Sequence, residues 1–349
     1  MTNDPLSLRD LGWSNYFLSQ LDLDELESQT PARVSEVMRD RVTALTEAGP
    51  LSLVFPGDAS AGDYAVGDWV LAEGSRVVRR LDRKTEMTRR ASGPEARAQL
   101  IAANIDTLFV TTSCNDDFNL PRLERALALA YEAGVEPVIL LTKADLADPD
   151  PYVEQARSAA RDIEVIALNA KSDAAAAQLT HHCGPGKTVA LIGMSGTGKS
   201  TLTNALCGID TATGAIREDD ARGRHTTTAR ALHRCLAGGW LIDTPGMREM
   251  GVFDAAMGID AVFSEITELA ETCRFRDCAH EGEPGCAVQA AIAAGDLDPA
   301  RLTRWRKLKA EDRQASASVA EGRARDKRLS RHYNRTQAAG RRSKTSDDV

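Results

Sequence analysis

Gly193-Met194-Ser195-Gly196-Thr197-Gly198-Lys199-Ser200 follows an apolar run at residues 189–192 and precedes a stretch of helical composition. The glycine, lysine and serine positions fit the phosphate-loop pattern, and strand, loop, helix is the order its chemistry needs. Glycines let backbone N–H groups turn toward a phosphate, and the helix N-terminus adds partial positive charge. Lys199 is placed to reach β and γ phosphates and the Ser200 hydroxyl to bind Mg2+; Thr201 completes the nucleotide-binding set of residues 193–201.

Working outward, Asp243-Thr244-Pro245-Gly246 closes a second apolar run. There an Asp holds Mg2+ through water and a glycine amide, here Gly246, senses the γ-phosphate. Between the two lies Arg222-Gly223-Arg224-His225-Thr226-Thr227-Thr228, a polar loop placed where a switch threonine closes on magnesium and γ-phosphate; Thr227 and Thr228 are equal candidates. Met247 stands where many GTPases carry a water-orienting glutamine, and a thioether cannot hold a nucleophilic water. His225 is the local group able to orient or deprotonate water. The catalytic candidates are therefore His225, Lys199, Thr227 and Thr228.

Upstream, Thr142-Lys143-Ala144-Asp145 ends another apolar run and is similar to Asn-Lys-x-Asp, with Thr replacing Asn. Asp145 would accept from guanine N1 and N2; adenine lacks those donors and would leave the carboxylate unpaired, which rejects ATP. Asn169-Ala170-Lys171 is similar to Ser-Ala-Lys, in which the Ala amide meets guanine O6. The base-reading pair precedes the phosphate loop, the reverse of an ordinary GTPase, so the order is circularly permuted. Such rejoining is tolerated because domain termini often lie close together.

With 349 residues the chain should form two or three domains. A content of 42% hydrophobic and 27% charged residues is ordinary for a soluble protein. Uncharged apolar runs fall far below the roughly 20 residues of a membrane span, so a cytoplasmic address and no membrane partner are expected. Cys273-x4-Cys278-x-His280-x5-Cys286 supplies three thiolates and an imidazole, enough to close a tetrahedral structural Zn2+ site. Cys114, Cys183, Cys207 and Cys235 are scattered and read as buried small apolar residues. Residues 301–349 carry 15 Lys/Arg against 6 Asp/Glu, whereas residues 1–300 carry 28 against 45, so a basic arm succeeds an acidic body.

Residues 1–31 form an N-terminal extension whose cluster Trp13, Tyr16, Phe17 predicts a short helix docked on the next domain. Residues 32–97 carry short alternating runs (34–42, 51–55, 67–72, 76–81), which predict a small β-barrel. Residues 76–90 hold seven Arg or Lys against two acids, a natural match for a phosphate backbone. Residues 98–254 alternate strand and helix as a doubly wound α/β domain does, and residues 255–349 read as helical with a basic tail.

The barrel, the permuted order, Arg-Gly-Arg-His-Thr-Thr-Thr, Asp-Thr-Pro-Gly and the Cys/Cys/His/Cys knot together resemble the ribosome small subunit-dependent GTPases, the RsgA or YjeQ family, over roughly residues 32–310. The resemblance implies an OB-fold barrel, a permuted P-loop GTPase and an α-helical zinc domain that bind the 30S subunit and its 16S rRNA in late maturation and leave on hydrolysis. It also implies that His225 is catalytic, that the subunit stimulates turnover of GTP to GDP, and that the chain acts as a monomer with one zinc and Mg2+ beside the nucleotide. Thr142 and Asn169 depart from the family's residues. Two other readings compete: an RNA-binding module that holds GTP only structurally, and a small-molecule P-loop kinase. The kinase leaves Asp145, the threonine loop and the zinc knot without explanation.

Overall fold

The structure is a computed structural model that describes residues 6–57, 59–90, 98–172, 174–209, 231–243 and 254–317. The run at 34–42 is not one strand. β1 (Thr30–Val37) folds back into β2 (Arg41–Thr46), because Met38 N donates to Arg41 O at 2.9 Å and the charged Arg39-Asp40 pair sits at the solvated turn. With β3 (Gly49–Val54), β4 (Trp69–Glu73) and β5 (Arg76–Arg80) these strands close a barrel in the order β1-β2-β3-β5-β4. Alternate residues face inward, as a period of two requires: Ala32 and Val34, Val42 and Ala44, Val70 and Ala72 are buried in one core.

The N-terminal segment docks on this barrel as expected, through two short helices, α1 (Asn15–Leu18) and α2 (Leu23–Ser28). Phe17 is buried, and Trp13 meets Trp69 edge-on at 4.7 Å. Arg79 fixes α2 by gripping the Glu25 carboxylate at 2.6 and 2.7 Å. That contact draws Glu25 down to about 2. Outside the barrel, β6 (Glu86–Arg90) and β7 (Ala98–Ala103) pair as an antiparallel ribbon.

The second sheet has six strands in the order β10-β9-β8-β11-β13-β12. They are β8 (Thr107–Ser113), β9 (Glu136–Thr142), β10 (Glu164–Ala167), β11 (Thr188–Gly193), β12 (Ala231–Arg234) and β13 (Trp240–Asp243). Five run parallel, and β12 is an antiparallel edge. Every residue of β8 is buried, as befits a strand with helices on both faces. The crossovers include α3 (Leu120–Glu132), α4 (Asp150–Arg157), α5 (Ala174–Gln178) and α6 (Lys199–Cys207). From β8 the chain winds outward to β9 and β10, then returns to β11 on the other side of β8. That reversal opens a crevice at the carboxyl ends of β8 and β11, where doubly wound sheets bind ligands.

Arg33 joins barrel to sheet. Its side chain is buried, and it donates to Leu11 O and Thr188 Oγ1, each at 2.6 Å. The remaining described chain is helical: α7 (Ala256–Val262), α8 (Ser264–Glu271), α9 (Ala287–Ala294) and a last helix over residues 299–317. α7 lies directly on α3 through Gly258, where a Cβ would stand 1.9 Å from Ala128 O. Arg301 completes the union from the last helix, donating to buried Glu124 at 2.7 Å and to Ala159 O and Val262 O.

Candidate functional site

Gly193 ends β11 with φ +150, and a Cβ there would lie 2.2 Å from the Thr111 carbonyl oxygen, so only glycine lets the loop leave beside β8. Gly198 takes φ +86 and caps α6, which begins at Lys199 with Ser200 exposed in its first turn. Met194, Ser195 and Gly196 are exposed along the rim, while Thr197 is buried and donates its hydroxyl to Met194 O at 2.9 Å. Lys199 Nζ rests on the loop's carbonyls, Gly193 O at 2.7 Å and Met194 O. Gly198, Lys199 and Ser200 thus stand where a helix N-terminus meets an anion.

The base-side segments arrive at the same edge. Thr142 ends β9 fully buried, and its hydroxyl lies 2.8 Å from Thr197 O and 3.0 Å from Thr112 O. The threonine that departs from the family pattern therefore ties the strand leading to Asp145 to the phosphate loop. Lys143 turns the chain at φ +59, leaving Asp145 exposed two residues on. Asn169 folds the neighbouring loop with its own side chain, Oδ1 accepting from Lys171 N at 2.9 Å, and holds Ala170 beneath the surface. The two loops are stitched together by Leu168 N to Leu141 O at 2.9 Å and Ala144 N to Leu168 O at 3.4 Å.

Asp243 ends β13, whose register against β11 brings it level with Leu191 at this edge. Ser200 and Asp243 offer the hard oxygen donors that Mg2+ takes. Thr201 sits within α6. His225, Thr227, Thr228 and Gly246 lie outside the described residues.

Cys273, Cys278, His280 and Cys286 converge with all four ligand atoms within 4.8 Å of one another. Tetrahedral zinc would set sulfurs about 3.8 Å apart and sulfur to nitrogen about 3.6 Å apart. Here Cys273 and Cys286 sulfurs are 3.9 Å apart, and His280 Nδ1 is 3.6 and 3.5 Å from them. Burial, then the Arg306 cation, push the His280 imidazole below its usual pKa, which keeps the neutral ring a metal requires. Glu283 braces the loop by accepting from the backbone of Ala279, Glu281 and Gly282. The residues therefore fit zinc.

The other cysteines are buried and free, as their composition suggested, yet three of the four come together in space. Cys183, Cys207 and Cys235 meet in one apolar cluster, and contact with Cys183 pushes Cys235 up to about 12. The basic run at 76–90 is less available than its sequence implied. Arg79 is held by Glu25, Arg83 by Asp68 and Glu86, and Lys84 by Asp106.

Residues 80–253 match the family model described as RsgA GTPase. The chain is 56% identical to the Small ribosomal subunit biogenesis GTPase RsgA of Mesorhizobium japonicum, with 90% of this chain and 92% of that one covered. It is 43% identical to the Small ribosomal subunit biogenesis GTPase RsgA 2 of Vibrio vulnificus, over 99% of each chain. YjeQ from Thermotoga maritima shares the fold with a TM-score of 0.59 at 23% identity, over 80% of this chain and 97% of that one. The circularly permuted GTPase YloQ shares it with a TM-score of 0.60 at 20% identity, over 82% and 96%. With relatives this similar along nearly its whole length and the motifs in permuted order on one sheet edge, the chain belongs to the RsgA GTPase family.

Proposed function

We propose that this chain binds GTP where β9, β11 and β13 end, hydrolyses it, and uses the cycle to assist maturation of the small ribosomal subunit. One observation carries the reading: the Thr142 hydroxyl joins the strand leading to Asp145 to the phosphate loop, which is what a single nucleotide shared by both segments would require. Asp145 would read guanine N1 and N2, with the Ala170 amide at O6 and Asn169 and Lys171 shaping that loop. Lys199 and the amides of residues 193–199 would hold the phosphates. Ser200 and Asp243 would hold Mg2+, which neutralises phosphate charge as it redistributes. His225 would orient the attacking water, Thr227 or Thr228 would close over the γ-phosphate, and Gly246 would sense its loss.

The relatives' names supply the subunit as partner. Contact with 16S rRNA would fall to the basic run at 76–90 and to the basic C-terminal arm, with hydrolysis stimulated by the subunit and driving release of a monomeric protein. Zinc would stabilise the C-terminal fold rather than take part in chemistry. GTP turnover with and without purified small subunits tests this. A slow intrinsic rate should rise steeply with subunits and vanish in Ser200→Ala. An unchanged rate with subunits would remove them as the partner; undiminished turnover in Ser200→Ala would remove the phosphate site.

A further inference from the structure

At the other end of the β10 strand from the nucleotide loops stands a second group of metal-type donors. Glu164 opens β10, and His181 and His182 lie in the turn beyond α5, which is fixed by bonds from His182 N and Cys183 N to Leu179 O. One ligand atom from each of the three lies within 4.8 Å of the others. His181 Nε2 is 3.6 Å from Glu164 Oε1, and His182 Nε2 is 3.3 Å from Glu164 Oε2. The two imidazole centroids are 3.8 Å apart, and His182 is clamped from behind by the edge of Phe109 at 5.6 Å.

His182 sets this group apart from an ordinary surface ion pair. It is only 7% exposed, and its Nε2 makes no well-formed hydrogen bond although Glu164 Oε2 stands 3.3 Å away. A buried ring nitrogen set beside a carboxylate and a second imidazole without a well-formed hydrogen bond is costly unless something else engages it. We propose that Glu164, His181 and His182 form a binding site for one divalent transition-metal ion, Zn2+ being the ion to test. Two imidazoles and a carboxylate suit Zn2+, and tetrahedral donors at about 2.0–2.2 Å from such an ion stand about 3.3–3.6 Å apart, the range in which each imidazole nitrogen stands from one of the two Glu164 oxygens. Glu164 and His181 are open to solvent, so a fourth position faces water.

The test is calorimetric titration of the full chain, its Cys273/Cys278/His280/Cys286 knot already loaded, with Zn2+ in saturating Mg2+. The wild-type chain should take up one further ion. Glu164→Gln and His181→Ala, both exposed positions that leave the fold intact, should each weaken that uptake at least about tenfold, the loss that even an outer partner causes. The knot's zinc content and the thermal midpoint without added metal should stay unchanged. Failure of the wild-type chain to bind a further ion would overturn the proposal, and so would a further ion bound equally well by both variants.

Discussion

Replacing Thr142 with Val keeps the branched shape inside β9 and removes the hydroxyl that faces Thr197 O and Thr112 O. Thr142 is fully buried, so water cannot take the hydroxyl's place, and leaving a buried acceptor without its donor costs about 1–3 kcal/mol. For a domain of this size that lowers Tm by about 2–12 °C, at about 2–4 °C per kcal/mol. Thr197 belongs to the phosphate loop, so if the whole loss falls on the nucleotide-bound geometry, GTP affinity drops about 5- to 150-fold. Equilibrium titration with a fluorescent GTP analogue, paired with thermal unfolding, reads both quantities. Thr142→Ser, which retains the hydroxyl, should recover most of the affinity. A Val variant with wild-type affinity and midpoint would show that the base-side strand and the phosphate loop are organised independently, and the argument for one shared site would lose its support.

Three further outcomes are set by the packing. Cys278→Ser should release the knot's zinc and expose residues 273–286 to protease, because a structural site carries folding energy in its metal; full zinc content by elemental analysis would contradict this. Gly258→Val places side-chain carbon against the α3 backbone at Ala128, where nothing flexible can yield, and should cost at least about 1–3 kcal/mol in urea unfolding; an unchanged midpoint would mean α7 can slide. Glu25, drawn down to about 2 by Arg79 from an ordinary 4.5, contributes stability that is fully present above the ordinary value and lost as pH falls through about 2. Tryptophan fluorescence from the Trp13–Trp69 pair should report this acid release, and Glu25→Gln should flatten the response below pH 4.5; identical curves would assign the release to another group.

Local pattern made the site legible where chemistry demands a fixed spacing. The phosphate loop lies between the predicted strand at 188–193 and helix α6, and the four zinc-type ligands meet within 4.8 Å of one another, because glycine, lysine, cysteine and histidine at set intervals have few other uses. What stayed hidden depends on partners far along the chain. Nothing around Arg33 announces that it will be buried against Thr188, 155 residues away. The cations at 79, 83 and 84 suggest an open phosphate-binding face until Glu25, Asp68, Glu86 and Asp106 come into reach. Gly258 is one small residue in an ordinary helix, and only the arrival of α3 makes its missing side chain matter. The turn inside 34–42 was obscured because apolar residues flank Arg39-Asp40 on both sides, which reads as one long run.

Helix α3 also has a bearing on how a signal could travel. Its first turn carries Arg122, whose guanidinium meets the Met194 sulfur on the rim of the phosphate loop. Farther along, Glu124, Ala128 and Glu132 are gripped by Arg301 and by the backbone of α7. A rod of this kind, about 20 Å long at about 1.5 Å per residue, converts a small displacement at one tip into a tilt at the other. The helices flanking the Cys273/Cys278/His280/Cys286 cluster are thus linked to the phosphate-loop edge twice, once by the covalent connection after Asp243 and once by this stiff strut. Lengthening the covalent connection alone would leave the second wire in place.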